Sequence, residues 1–344
     1  MIEFKQVSFS YEGSEDGKLQ DLNFTVKKGE CVLLTGRSGC GKTTVTRLIN
    51  GLIPAFFPGE LCGEVLVDGR RVSEEPIYRI AEKVGSVFQN PKTQFFNMDT
   101  DGEIAFGMEN KGIDREQMRK KVDQTAEELG IEKLLGRSIF SLSGGEKQKI
   151  AFASVYAMTP DIYLLDEPSS NLDEDAIKDL RKHIGLLKQQ GKTVIIAEHR
   201  IYYLKGLADR ILYFEKGELK NIWAGNEFFK IAEEDRRRMG LRSMEYKKDK
   251  VLPGTGGKNS ERVGSERTKG VLEFKNLSVG YGKRAVLSGI NFRASAGDIV
   301  AVTGHNGVGK STFSRTLCGL LKPLAGKIIR NNAELNEKAR LFHS

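Results

Sequence analysis

The chain has 344 residues, enough for two or three domains, with 39% hydrophobic and 29% charged residues, a balance that excludes a mostly disordered protein. No apolar run reaches the roughly 18 residues a membrane-spanning helix needs, Met1–Lys5 lacks the features of a signal peptide, and Cys31, Cys40, Cys62 and Cys318 form no C-x-x-C pair. The net charge of +8 is unevenly spread: residues 1–240 carry 35 Lys and Arg against 38 Asp and Glu, and residues 271–344 carry 11 against 4. A basic tail suits nucleic acid or an anionic membrane. It equally suits half of something larger, and the repeat described next favours that.

Glu3-Phe4-Lys5 and Tyr11 recur 270 residues later as Glu273-Phe274-Lys275 and Tyr281. The glycine-rich stretch from Gly36, and Gly51-Leu52, recur 268 residues later at Gly304 and Gly319-Leu320. Three segments follow. Residues 1–240 are expected to form a complete domain, 241–270 a flexible linker broken by Pro253-Gly254-Thr255-Gly256-Gly257, and 271–344 the opening part of a second copy.

Along the first copy, Ile2–Val26 reads as antiparallel strands at a sheet edge. Val32-Leu33-Leu34 is a short strand, and Val45, Leu48, Ile49 and Leu52 fall at helical spacing after the glycines. Arg115–Leu129 and Asp173–Gln190 read as helices. Ile162–Leu165 and Val194–Ala197 are continuous apolar runs, as in parallel strands buried on both faces. The alternation predicts an α/β domain with a parallel core sheet.

Gly36-Arg37-Ser38-Gly39-Cys40-Gly41-Lys42-Thr43 fits G-x-x-x-x-G-K-[ST] between a strand and a helix, and Gly304–Ser311 fits it again in register. Glycines let backbone N–H groups turn around a phosphate chain, and the next helix points its positive end at the same anion. Lys42 is suited to the β- and γ-phosphates and the Thr43 hydroxyl to Mg²⁺. The plain alternative is a glycine turn. Asp166-Glu167 closes the run Ile162–Leu165, where carboxylates face the ligand crevice of open α/β sheets. Asp166 would hold Mg²⁺ through water, and Glu167 would take a proton from, or orient, an attacking water. The alternative is a solvated strand end before Pro168. Ser143 with Glu146 three residues on forms a capping-box pattern, and Gly144-Gly145 between them is either a costly cap or a second phosphate-binding helix end.

In this order and spacing the first copy resembles an ATP-binding-cassette (ABC) ATPase. Gly36–Thr44 resembles its Walker A motif, Leu142–Gln148 its signature motif and Ile162–Glu167 its Walker B. Ser170-Asn171-Leu172-Asp173 resembles the D-loop, with Asn171 where alanine is usual, Val87-Phe88-Gln89 the Q-loop, and His199 the switch histidine. The resemblance implies a P-loop NTPase cassette with a parallel core sheet, antiparallel edge strands and a helical signature subdomain. It implies Glu167, His199 and Gln89 as catalytic residues. Tyr11, Gly36, Ser38, Gly39, Gly41, Lys42, Thr43, Thr44, Ser143, Gly144, Gly145 and Asp173 would bind ATP. Mg²⁺ would fall to Thr43, Gln89 and Asp166, with Ser311 as the second copy's equivalent. Tyr281, Gly304, Asn306, Gly307, Gly309, Lys310, Ser311 and Thr312 repeat the opening portion. Alone, His199 reads more simply as a satisfied or exposed histidine and Tyr11 as a core residue; their place in one frame raises them.

Gln89–Phe96, Glu103–Asn110 and Glu198-His199-Arg200 narrow the resemblance to the energy-coupling-factor and cobalt-type importers. That group implies uptake of vitamins or transition metals. It implies a transmembrane coupling protein and a small integral substrate-binding protein as partners, at the cytoplasmic face of the membrane, with no nucleic acid expected. Two cassettes close head to tail on ATP in this family, so a second one is needed, from the chain's own copy or from another chain. Residues 271–344 contain no Q-loop, signature, Walker B or switch histidine and lack the Walker B strand expected beside Ile299–Thr303. Residues 1–240 are therefore expected to fold alone and pair around ATP. A soluble ABC protein acting on ribosomes or DNA, and a non-catalytic remnant, are the other readings.

Overall fold

The computed structural model describes residues 1–13, 17–244, 271–304, 306–331 and 333–335. Most of the expected linker, from 245 to 270, lies outside the described residues. The chain divides into two compact units, Met1–Lys247 and Lys248–Ser344.

The first unit has strands β1 (Ile2–Tyr11), β2 (Leu19–Val26), β3 (Cys31–Gly36), β4 (Gly59–Val67), β5 (Arg70–Arg71), β6 (Val84–Val87), β7 (Ile162–Asp166), β8 (Thr193–Ala197), β9 (Arg210–Glu215) and β10 (Glu218–Ala224). Six of them form one sheet in the order β10-β9-β3-β8-β7-β6. It is parallel from β9 to β6, and only β10 runs antiparallel, at one edge. Strands β3, β7 and β8 are buried at every residue, which is why they read as unbroken apolar runs. Leu33, Leu165 and Ile196 face one core layer with helices Gly144–Ala157 and Glu174–Gln189. Leu34, Leu164 and Ile195 face the other, beneath the helix Lys42–Ile49.

The opening strands do not extend the edge of this sheet. They form a separate antiparallel sheet, ordered β2-β1-β4-β5. Ile2, Phe4, Val7 and Phe9 alternate with more exposed residues in β1, so one face is apolar and must be covered. It packs with Val45, Leu48 and Ile49 as a second layer. The helix expected through Leu52 stops at Ile49, because Gly51 turns the chain at φ 76°. Helices Thr100–Asn110, Arg115–Leu129 and Gly144–Ala157 pack on one another as a helical subdomain. The boundary expected at 240 also moves. Leu241 is buried, its N–H donates to the Arg236 carbonyl at 2.9 Å, and Met244 packs on the same core.

The second unit has β11 (Leu272–Tyr281), β12 (Arg284–Ala294), β13 (Ala325–Arg330) and β14 (Ala333–Glu334), ordered β12-β11-β13-β14 with every pairing antiparallel. It repeats the outer sheet of the first unit. Its core is small: Phe274, Leu277, Val279, Phe313 and Ile328, the phenylalanine at 313 coming from the helix Lys310–Leu317. Ile299–Thr303, the counterpart of β3, forms no strand, and Ile299 is 100% exposed. The Walker B strand is not the neighbour this segment would need. In the first unit β3 pairs with β8 and β9, and β7 stands one strand further out.

Candidate functional site

Strand β3 delivers the chain to Gly36, where φ is 150° and a Cβ would meet the Phe214 carbonyl oxygen at 2.2 Å. Only glycine can stand there. The loop turns again at Gly39 and Gly41, at φ 76° and 101°. Lys42, nearly buried, curls its Nζ over the loop and donates to the carbonyls of Gly36 (3.1 Å) and Arg37 (3.0 Å). Ser38 is exposed on the rim. The helix Lys42–Ile49 begins without a side-chain cap and without an acidic residue in its first turn. A positive helix end, a buried ammonium and three turning glycines make a cradle that fits a polyphosphate.

Tyr11 and Thr44 lie beside this loop. The Tyr11 hydroxyl donates to Thr44 Oγ1 at 3.3 Å and accepts from Arg47 Nη1 at 3.1 Å, while Thr44 donates to the Gly17 carbonyl at 3.0 Å. Its ring meets Phe9 and Phe57 edge-on.

Facing the cradle, β7 ends at Asp166, whose Oδ1 accepts the Thr43 hydroxyl at 3.2 Å. Burial pushes the Asp166 carboxyl up to about 6, against the smaller opposing pull of the Thr43 bond. Glu167 follows at φ 43°, a left-handed backbone that costs a glutamate energy. That turn aims its carboxylate between two partners. Gln89 Nε2 donates to Oε2 at 2.9 Å, and His199 Nε2 stands 3.3 Å from Oε1. Burial, then the Lys42 charge, holds the His199 imidazole below its ordinary value. A cavity of about 230 Å³ opens beside Thr43, Arg47, Gln89 and Asp166.

Among the described residues no cluster of three or more His, Cys, Asp or Glu is present. The set at hand is sparser: one buried carboxylate, one hydroxyl and one amide. That fits Mg²⁺ held partly by phosphate and water, and a cation there would offset the burial cost of Asp166.

Ser143, Gly144, Gly145 and Asp173 gather at a different corner. Ser143 caps the helix Gly144–Ala157 in a reciprocal box with Glu146, its N–H donating at 2.7 Å and its Oγ accepting at 3.3 Å. Asp173 caps the helix Glu174–Gln189. A Cβ on Gly145 would touch Ala176, whereas Gly144 faces open space. In the second unit the loop glycines Gly304, Gly307 and Gly309 stand at φ 146°, 83° and 107°, and Lys310 Nζ donates to the Gly304 carbonyl at 2.6 Å. Asn306 and Ser311 are exposed there. Bonds from Thr312 and Arg315 hold the Tyr281 hydroxyl below the ordinary phenol range, repeating the grouping of Tyr11, Thr44 and Arg47.

Sequence reasoning missed Arg47, which reaches Tyr11 and lies 4.0 Å over the Phe57 ring. It also gave no role to Ser169, Glu198 and Arg200. Their signal was a charged residue directly after the buried run Val194–Ala197.

The family model for ABC transporters matches residues 19–170 and 287–344. A putative ABC transporter ATP-binding protein of Treponema denticola is 47% identical over 99% of this chain and 69% of its own length. One from Clostridium perfringens is 34% identical over 98% and 64%, and a putative HMP/thiamine import ATP-binding protein of Bacillus subtilis is 33% identical over 96% and 63%. The chain thus spans about two thirds of the length of these relatives. Among solved structures, cbiO1 from Clostridium perfringens, part of the ABC transporter complex cbiONQ, is 28% identical with a TM-score of 0.59 over 70% of this chain and 94% of that one. A dimeric ATP-binding cassette in a post-hydrolysis state, bound to ADP and Pi, is 25% identical with a TM-score of 0.58 over 65% and 98%. The cradle, the paired carboxylates and these likenesses converge, and the chain belongs to the ATP-binding proteins of ABC transporters.

Proposed function

We propose that this chain hydrolyses ATP at the site of its first unit to energise import of a small solute, of the vitamin or metal-ion class, through a membrane complex. The observation that carries the catalytic assignment is the joined set Gln89–Glu167–His199 beside Thr43–Asp166. Gly36, Ser38, Gly39, Gly41 and Thr44 line the phosphate cradle, with Lys42 turned from its loop carbonyls onto the β- and γ-phosphates. Tyr11 offers its ring to adenine. Mg²⁺, when bound by Thr43, Asp166 and Gln89, neutralises charge on the phosphates. Glu167 accepts the proton of the attacking water, Gln89 orients that water, and His199 donates a hydrogen bond toward the γ-phosphate. Ser143, Gly144, Gly145 and Asp173 complete the site of a second cassette. The matching loop Gly304, Asn306, Gly307, Gly309, Lys310, Ser311 and Thr312, with Tyr281, is a nucleotide-binding half of the same design that holds ATP only weakly, since Ile299–Thr303 behind it forms no strand.

The import reading draws support from the likeness to the putative HMP/thiamine import protein of Bacillus subtilis and to cbiO1 of the cbiONQ transporter complex. A groove of about 280 Å³, lined by Leu52, Phe88, Phe96, Phe106 and Met158, suits an apolar segment of a transmembrane partner. Phe96 is 75% exposed on its rim. Phe88 is next to Gln89, so a partner seated there touches the segment that reaches Glu167. In this reading the chain works at the cytoplasmic face, held by protein contacts. Among the described residues no helix is long and apolar enough to cross a membrane.

The test is purification of the full chain from native membranes in mild detergent, with solute uptake measured in cells carrying wild type or Glu167→Gln. The expected result is a complex with integral membrane proteins, and loss of uptake of labelled thiamine precursor or transition-metal ion in the variant. Recovery with ribosomes, or unchanged uptake of every such solute, would overturn the import reading.

A further inference from the structure

His199 is flanked by two residues that reach back to the same loop. Glu198, 2% exposed at the end of β8, accepts the hydroxyl of Ser169 and, through the same Oε1, the N–H of Arg200 at 3.1 Å. Its backbone is fixed as well, by its N–H to the Leu34 carbonyl at 3.1 Å and its own carbonyl to Thr35 Oγ1 at 3.2 Å. Arg200 Nη1 donates to the Leu172 carbonyl at 3.1 Å. The residues before and after His199 therefore bond to the two ends of the loop between Glu167 and the cap Asp173. Ser169 is fully buried. Leu172 lies 3.9 Å from the Cβ position of Gly145.

A carboxyl group is an expensive way to fill this space. Its Oε2 is buried without a hydrogen-bond partner, and an apolar residue would pack without that cost. The expense is explained if the bonds themselves matter. We infer that Glu198 and Arg200 form a bracket locking His199 to the loop 168–173, so that they are positioning residues that pass the placement of that loop to the histidine facing Glu167. The kinetic consequence rests on the ATPase reading above; the bracket itself does not.

Burial pushes the Glu198 carboxyl up to about 7, so glutamine, with the same acceptor oxygen, is its close mimic. Glu198→Ala, Glu198→Gln, Ser169→Ala and Glu198→Ala/Ser169→Ala are compared in the full chain. Hydrogen exchange is followed in peptides covering 168–173 and 198–201, with residues 2–11 as a distant control, beside kcat and KM for MgATP. In Glu198→Ala the expected result is exchange at least about tenfold faster in both loops and unchanged at 2–11, with Glu198→Gln within about threefold of wild type. The kcat falls about tenfold with KM within about twofold, and the double variant is no worse than the worse single one. Ser169→Ala repeats the pattern if Glu198→Ala fails to fold. Unchanged loop exchange in Ser169→Ala, acceleration at 2–11 equal to that in the loops, or an unaltered kcat in a chain whose loops have opened would overturn the bracket. A parent chain without turnover would count against the ATPase reading, and the exchange measurement would still decide the bracket.

Discussion

In the loop Gly36–Thr43 the glycines stand at φ 150°, 76° and 101°; in Gly304–Ser311 they stand at 146°, 83° and 107°. Each lysine reaches back to the first glycine's carbonyl. The settings differ. A Cβ on Gly36 would strike the Phe214 carbonyl of β9 at 2.2 Å, whereas on Gly304 it would meet, among the described residues, only Val308, at 3.0 Å. Every residue of β3 is buried, and Ile299 is 100% exposed. The shape of a phosphate loop is thus a local property of its glycines. A catalytic site is a property of the sheet, because Asp166, Glu167 and His199 arrive at the ends of β7 and β8, strands with no counterpart among the described residues of the second unit.

The sharpest way to break this contrast is to remove the sheet-borne base. Glu167→Gln is expected to keep ATP binding and to lower hydrolysis by at least about a hundredfold. Phosphate release from the full chain measures it, and undiminished turnover would move catalysis elsewhere. Next comes Glu198, which has no equivalent among the described residues of the second unit. Its carboxyl is near 4.5 when unfolded and about 7 when folded, so the folded state holds the proton longer. Wild type should therefore lose stability as pH rises from about 4.5 through 7, by up to about 3 kcal/mol relative to Glu198→Gln. Trp223 is the chain's sole tryptophan and packs on Tyr213 and Phe228, so its fluorescence reports first-unit unfolding in denaturant. Equal pH slopes for the two proteins would contradict the buried carboxyl.

Lys42→Ala should weaken ATP binding by about 2 kcal/mol, roughly thirtyfold, while Lys310→Ala changes it by less than about threefold. Titration with a fluorescent ATP analogue compares them, and equal losses would mean that the loop needs no sheet behind it. The smallest effect is in proteolysis. Cleavage at 299–304 should run several-fold faster than at 31–36, since only the latter is closed into a ladder. Mass mapping of early fragments gives the ratio.

What the sequence made legible were features with a short-range cause. The buried runs at Ile162 and Val194, the helix Arg115–Leu129 between Asp114 and Gly130, and the capping box at Ser143 depend on a few neighbours each. The repeat located both glycine loops. Sheet partnership was not legible. The alternation of β1 declares one apolar face but not which layer covers it, so its separate sheet and the place of β8 beside β3 came only with the structure. Glu198 was equally hidden, because its meaning lies in a bond to Ser169, 29 residues away.

Arg37 occupies a position the loop motif leaves open, yet its Nη2 donates to the Arg238 carbonyl, 201 residues downstream, at 3.2 Å. The same stretch is held by Tyr213, whose hydroxyl donates to the Met239 carbonyl at 3.0 Å. At Gly240, φ is 73° and a Cβ would lie 2.3 Å from Arg37 Nε. The exit from the first unit is thereby braced against the nucleotide cradle. A methyl group at Gly240, which is itself none of the candidate site residues, would press on Arg37 and act as a mechanical handle on phosphate affinity.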